Sequence, residues 1–105
     1  MINEKLKGFL GICRRSGKLS AGRDASVASI KKHKAFLTVM CSDCSQRLKD
    51  EISDECEFHG RSILCITAPF TMNELYTAVG IKAGVFTVDD ENLAKKLYDL
   101  TGGNS

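Results

Sequence analysis

Ile2, Leu6, Phe9, Leu10 and Cys13 recur at three- and four-residue steps, the spacing of one helical face. The pattern predicts a first helix from about Asn3 to Arg15, with Gly17 as a left-handed stop. Lys18–Ala21 reads as a short extended segment, and Gly22 turns the chain into a second helix from about Arg23 to His33. Val27 and Ile30 are its expected core contacts, with the small Ala25 and Ala28 allowing close packing. Residues 35–41, AFLTVMC, form an unbroken apolar run rich in strand formers, as in a central strand buried on both faces. After a loop at residues 42–45, Leu48, Ile52 and Cys56 repeat every four residues. They predict a third helix to about Phe58, closed by Gly60, with Lys49, Asp50, Asp54, Glu55 and Glu57 on its polar, largely acidic side. Ser62–Thr67, SILCIT, reads as another buried strand. Thr71 and Glu74 form a capping-box pattern that opens a short fourth helix to about Val79. Gly80–Gly84 is a glycine-bounded loop, and Val85–Val88 a last strand. Asp89 and Asp90 suit the start of a final helix whose Leu93, Ala94, Leu97 and Leu100 face inward, before a frayed tail at Thr101–Ser105.

Five helices alternating with four strands imply a four-stranded sheet, at least partly parallel, with helices on both faces. At 105 residues the expectation is one domain spanning residues 1–105. Apolar content of 43% with 27% charged residues excludes a disordered chain. There is no apolar run long enough to span a membrane, and MINEKLKGFLGICRR is amphipathic rather than a signal peptide, so a cytoplasmic location is expected. Five cysteines, an odd number, then read as reduced thiols.

The net charge of +2 hides an uneven distribution. Residues 1–34 carry nine basic side chains against two acidic ones, a net of +7, and residues 35–105 carry six against eleven, a net of −5. A basic face for a polyanion and an acidic face elsewhere would give this split. Its centre is KLSAGRDASVASIKKHK, residues 18–34. A strand that turns through glycine into a helix leaves free N–H donors at the positive end of the helix dipole, a ready anion site. Lys18 and Arg23 flank that turn, Lys31, Lys32 and Lys34 follow, and Arg14 and Arg15 are secondary candidates.

Catalytic and metal chemistry find less support. Cys41 and Cys44 form a C-x-x-C before a helix, where a redox pair would sit, and Cys56 and His59 complete four formal zinc ligands. If residues 45–58 are helical, however, Cys56 lies about 18 Å along the axis from Cys44, whereas four ligands must meet one ion at about 2.0–2.3 Å. Cys13, Cys56 and Cys65 occupy apolar positions, as core residues would. His33 and His59 stand apart, each near a predicted helix end, and there is no P-loop. The expectation is a non-enzyme with no metal or cofactor.

Several strings together resemble the L7Ae/L30e ribosomal protein family, and within it the small bacterial L7Ae-like, or YlxQ-like, members. They are LGICRRSGKL at residues 10–19, the turn Gly22-Arg23-Asp24, Leu75-x-x-Ala78-x-Gly80, and Ala94-Lys95-Lys96-Leu97. The likeness covers roughly residues 4–100. It implies a three-layer α/β/α sandwich around a mixed four-stranded sheet, and non-catalytic binding of structured RNA, kink-turns or rRNA, by a ribosomal or ribosome-associated monomer. In the family's kink-turn binders the turn opens a Gly-x-Asn-Glu-x-x-Lys segment. Here Gly22 matches, but Asp24 replaces Asn, Ala25 replaces Glu and Ala28 replaces Lys. The second family contact, an apolar loop over flipped bases, maps to Ile81, Lys82 and Ala83. The implied contacts are therefore Gly22, Arg23 and Asp24 at the helix start, Lys18, Lys31 and Lys32 on phosphates, and Ile81, Lys82 and Ala83 on splayed bases. A bidentate base contact is worth about 1–3 kcal/mol, so the three departures imply an altered or weakened kink-turn preference. The alternative is a protein-interaction module on the same fold, using the acidic third helix.

Overall fold

The computed structural model describes residues 2–59 and 63–102. The expected stop at Gly60, the expected strand start at Ser62 and residues 103–105 lie outside them. Nine elements follow in order: α1 (Glu4–Arg15), β1 (Leu19–Ala21), α2 (Arg23–Lys31), β2 (Leu37–Met40), α3 (Gln46–His59), β3 (Leu64–Thr67), α4 (Met72–Val79), β4 (Val85–Val88) and α5 (Glu91–Leu100). No helix among the described residues is long and apolar enough to cross a membrane.

The sheet has strand order β1-β4-β2-β3. β4 is antiparallel to both β1 and β2, and β2 is parallel to β3. Period-two alternation sorts the central strands between two cores. Leu37, Val39, Phe86 and Val88 pack with Leu6 and Leu10 of α1, Leu75 of α4 and Leu97 of α5. Met40 and Val85 pack on the other face with Val27 and Ile30 of α2 and Ile52 and Cys56 of α3. The result is the mixed three-layer α/β/α sandwich.

Caps set most boundaries. Asn3 Oδ1 accepts from Leu6 N at 2.8 Å to open α1. Thr71 and Glu74 make the reciprocal capping box of α4. Asp90 accepts from Leu93 N at 2.9 Å to open α5. α2 ends two residues earlier than its periodicity suggests, because the chain turns left-handed at His33, φ 59°. His33 N donates to Ile30 O at 3.1 Å and Lys34 N to Ser29 O at 2.9 Å, the two bonds of a Schellman stop. Histidine at a position usually held by glycine hides that stop from the sequence.

Four expectations are corrected. β3 is not buried: it pairs only with β2, so it forms the sheet edge, and Leu64 is 48% exposed. Ala25 faces solvent and Ala28 is half-buried; the small residues packed beneath α2 are Ser26 and Ser29. Asp89 does not cap α5. Its carboxylate accepts from Ser20 Oγ at 2.7 Å, Ser29 Oγ at 2.6 Å and Thr87 Oγ1 at 3.0 Å, tying β1, α2 and β4 together. Thr101 and Gly102 are no frayed tail, since their N–H groups donate to Leu97 O and Asp99 O and close α5.

Candidate functional site

All four strands bring the same end of the sheet to one group of loops. β1 ends at Ala21 opposite Phe86, and β2 ends at Met40 opposite Val85, so the β1–α2 turn and the α4–β4 loop are neighbours there. Gly22 N donates to Val85 O at 2.8 Å, which pins the turn to the end of the loop, and Cys41 N donates to Gly84 O at 2.9 Å, which ties the loop to the end of β2. Gly22 has φ 97° and ψ 164°, a conformation essentially confined to glycine. The first bond inside α2 runs from Ser26 N to Gly22 O at 3.0 Å. The N–H groups of Arg23, Asp24 and Ala25 therefore have no acceptor within the helix, and glycine offers no capping side chain.

The side chains around these donors are less cationic than their letters suggest. Arg23 Nε donates to Glu51 Oε1 at 2.8 Å and Nη2 to Glu51 Oε2, a fork–fork pair with α3. Arg23 Nη1 also donates to Asp24 Oδ1 at 2.7 Å. The Arg23 hydrogen bonds hold the Glu51 carboxyl below its usual range. Asp24 projects into solvent with its side chain 94% exposed.

In the loop, Ile81 is only 4% exposed and belongs to the core. The expectation that it packs on splayed bases is corrected: the surface the loop offers is exposed Lys82 and half-buried Ala83. Ala83 O accepts from Cys41 Sγ at 3.7 Å. Gly84 is pressed against its neighbours, where an added Cβ would lie 3.1 Å from Cys44 Cβ and from Met72 Sδ. Arg14 Nη1 donates to Val79 O at 2.9 Å, beside Gly80. Sequence reasoning ranked Arg14 second, and its place here comes from tertiary packing.

Lys18, Lys31 and Lys32 lie at the opposite end of the sheet. Lys18 O accepts from Asp89 N at 2.7 Å, beyond the other end of β4. A three-residue strand, about 10 Å long, separates it from Gly22. α2 runs back over the sheet for about 13 Å before reaching Lys31 and Lys32. The structure thus brings Gly22, Arg23, Asp24, Ile81, Lys82 and Ala83 together, and sets the three lysines apart from them. Lys18 and Arg23 do not flank one anion pocket.

The two thiols of the C-x-x-C, Cys41 and Cys44, are held in the protonated form by burial, which disfavours exchange at that pair, whereas a hydrogen bond from Cys65 lowers Cys56 to about 7. All five cysteines are free. Burial, reinforced by Asp43 and Cys44, pushes the Cys41 thiol up to about 12. Burial also raises Cys44, which precedes the first residue of α3. Cys56 sits far along α3, buried 3.5 Å from Thr38 Oγ1. Among the described residues no group of three or more His, Cys, Asp or Glu is placed to hold a metal ion.

Comparison with known proteins places the chain in a family. Residues 4–98 match the model of the ribosomal protein L7Ae/L30e/S12e/Gadd45 family. The chain is 27% identical over 100 residues to a protein of Enterococcus faecium called RNA-binding protein YlxQ, covering 95% of this chain and 94% of that one. A solved structure of a protein of unknown function from Bacillus halodurans superimposes with a TM-score of 0.80 at 22% identity, covering 95% of this chain and 99% of the other.

Proposed function

The chain belongs to the ribosomal protein L7Ae/L30e/S12e/Gadd45 family, and we propose that within it the protein is a non-catalytic binder of structured RNA. We assign it a ribosomal or ribosome-associated role in the cytoplasm, as a one-domain monomer. One observation carries the reading. The Gly22 N–H···O=C Val85 bond sets the open helix start of α2 beside the Gly80–Gly84 loop, so a folded RNA backbone can meet both at once. The name of the Enterococcus faecium relative supports the same ligand class.

In this reading the N–H groups of Arg23, Asp24 and Ala25 bind a phosphate or a base edge. Lys82 meets the adjoining strand, Ala83 packs on a splayed base, and Ile81 holds the loop in place from the core. Lys18, Lys31 and Lys32 touch backbone farther along the RNA. Asp24 lacks the amide donor of an asparagine, and Ala25 and Ala28 carry no polar group for a base edge. Kink-turn preference should accordingly be weaker than general affinity.

The test is titration with a kink-turn RNA and with the same RNA lacking its tandem sheared G·A pairs, across a salt series. A preference for the intact RNA supports retained kink-turn recognition. Equal binding that weakens steeply with salt supports a phosphate-dominated binder. No binding to any structured RNA at low salt refutes the proposal.

A second reading, a protein-interaction module, is favoured by Phe58. This side chain is 82% exposed on α3, in a groove with Asp54, Glu55 and Glu57 that Lys31 and His59 also line. An exposed aromatic among carboxylates suits a basic protein segment better than RNA.

A further inference from the structure

We propose that the groove between α1 and α4 is a second contact for the RNA backbone, in which Lys7, Arg14 and Arg15 take phosphates over a floor left bare by Gly8 and Gly11. This rests on the RNA-binding reading and extends it.

Residues 4, 7, 8, 11, 14 and 15 recur at the spacing of one helical face. The opposite face carries the buried Leu6, Leu10 and Cys13. The outward face borders a groove of about 310 Å³, completed by Ala78 and Val79 of α4. No ion pair among the described residues engages Lys7, Arg14 or Arg15. Arg23, in contrast, is neutralised by Glu51 and Asp24. α1 therefore carries uncancelled charge, and its Arg14 reaches the loop that also holds the exposed Lys82.

The glycines reinforce the argument. Glycine inside a helix is disfavoured relative to alanine. At Gly8 an added Cβ would meet nothing within 4 Å, and φ is not positive, so neither packing nor backbone conformation calls for glycine. At Gly11 an added Cβ would lie 3.1 Å from Arg15 Nη1, so the absence of a side chain makes room for that guanidinium. A helix stripped of side chains between cations lets a sugar-phosphate backbone approach closely.

The groove also continues the first contact. Arg14 spends one N–H on Val79 O at 2.9 Å, and a guanidinium has five. Its head lies beside Gly80, where the loop carrying Lys82 begins. From Lys7 to Arg14 the helix advances about 10 Å. Glu4, the one carboxylate on this face of α1, marks the far limit of the track.

The test compares the wild type, the Lys7→Ala/Arg15→Ala double variant and Gly8→Gln. Each is titrated with a long-stemmed kink-turn RNA over a salt series, with a melting curve beside every titration. For the double variant the log–log salt slope should fall by about 2, at roughly 0.9 per phosphate contact released, with at least tenfold weaker binding at low salt. Gly8→Gln should melt no lower than the wild type yet bind several-fold more weakly, because it fills the floor without removing a charge. If the wild type binds while either variant retains its full affinity and slope, the groove proposal is overturned and the helix-start reading stands. If the wild type binds no RNA, the parent reading falls and the groove with it.

Discussion

The two ends of α2 offer an anion different things. At the start, Gly22 exposes backbone donors in a fixed geometry, but the nearby charges cancel: Arg23 is forked onto Glu51 and also bonded to Asp24. At the finish, the Schellman turn at His33 satisfies the backbone, and Lys31 and Lys32 extend exposed cations. Under the proposed function, shape-dependent recognition would belong to the first end and general phosphate attraction to the second. The basic sequence count of residues 1–34 merges them because both lie on one stretch of chain.

The sharpest way to break the comparison is at Gly22. A Gly22→Val substitution forces a β-branched residue to φ 97°, ψ 164°. It should cost about 1–3 kcal/mol of stability. On a domain of this size that is a melting-temperature drop of at least about 4 °C per kcal/mol. RNA affinity should fall by more than the unfolded fraction explains. A variant that melts like the wild type would show that the backbone geometry does not depend on glycine.

Asp89 ties α2 to β1 and β4, and its removal should cost nearly as much. Asp89→Ala would leave the hydroxyls of Ser20, Ser29 and Thr87 without their acceptor; Ser29 and Thr87 are buried. Leaving buried donors unsatisfied costs about 1–3 kcal/mol, read by chemical denaturation. Asp89→Asn keeps one acceptor and should lose less. An unchanged midpoint for Asp89→Ala would mean that the hydroxyls find other partners.

How much of this was legible follows from how local each signal is. The capping box at Thr71 and Glu74, the Asp90 cap, the doubly buried run of β2 and the strand at Val85–Val88 carry local signals, and the pattern finds them; the double burial of β4 it does not show. β3 reads like β2, yet only strand order decides which of two apolar runs becomes the edge. The adjacency of Gly22 and the Gly80–Gly84 loop depends on β4 running antiparallel to β1, which strand–helix alternation alone does not give. The Arg23–Glu51 pair is no more local: its partners are 28 residues apart on two helices brought together by packing. Lys18 illustrates the converse error, since four residues of separation in a strand is a long distance in space.

The charge contrast itself can be inverted. Glu51→Gln removes the forked carboxylate on Arg23 and leaves it only the solvent-exposed pair with Asp24, so RNA affinity should rise several-fold and the log–log salt slope steepen by up to about 0.9. Lys31→Ala with Lys32→Ala should act oppositely, flattening the slope by about 2 if both lysines meet phosphates. If Glu51→Gln weakens binding instead, the Arg23–Glu51 fork is positioning the helix start rather than masking its charge.

The smallest expected effect is the pH dependence of that fork in the free protein. Glu51 is held below its usual 4.5 by Arg23, so the folded state keeps this carboxyl ionised to lower pH than the unfolded chain does. Its contribution to stability is fully present above the unfolded value and is lost as pH falls through the lowered folded value. The pair is solvent-exposed, so the contribution is small and salt-sensitive. Melting temperatures of the wild type and Arg23→Ala should therefore differ slightly near neutrality, and the gap should close as pH drops well below 4.5. A gap that persists at acid pH would place the stabilising role of Arg23 in the packing of its side chain between α2 and α3. Glu51→Gln would then free a guanidinium already anchored by other contacts, and its gain in RNA affinity should shrink accordingly.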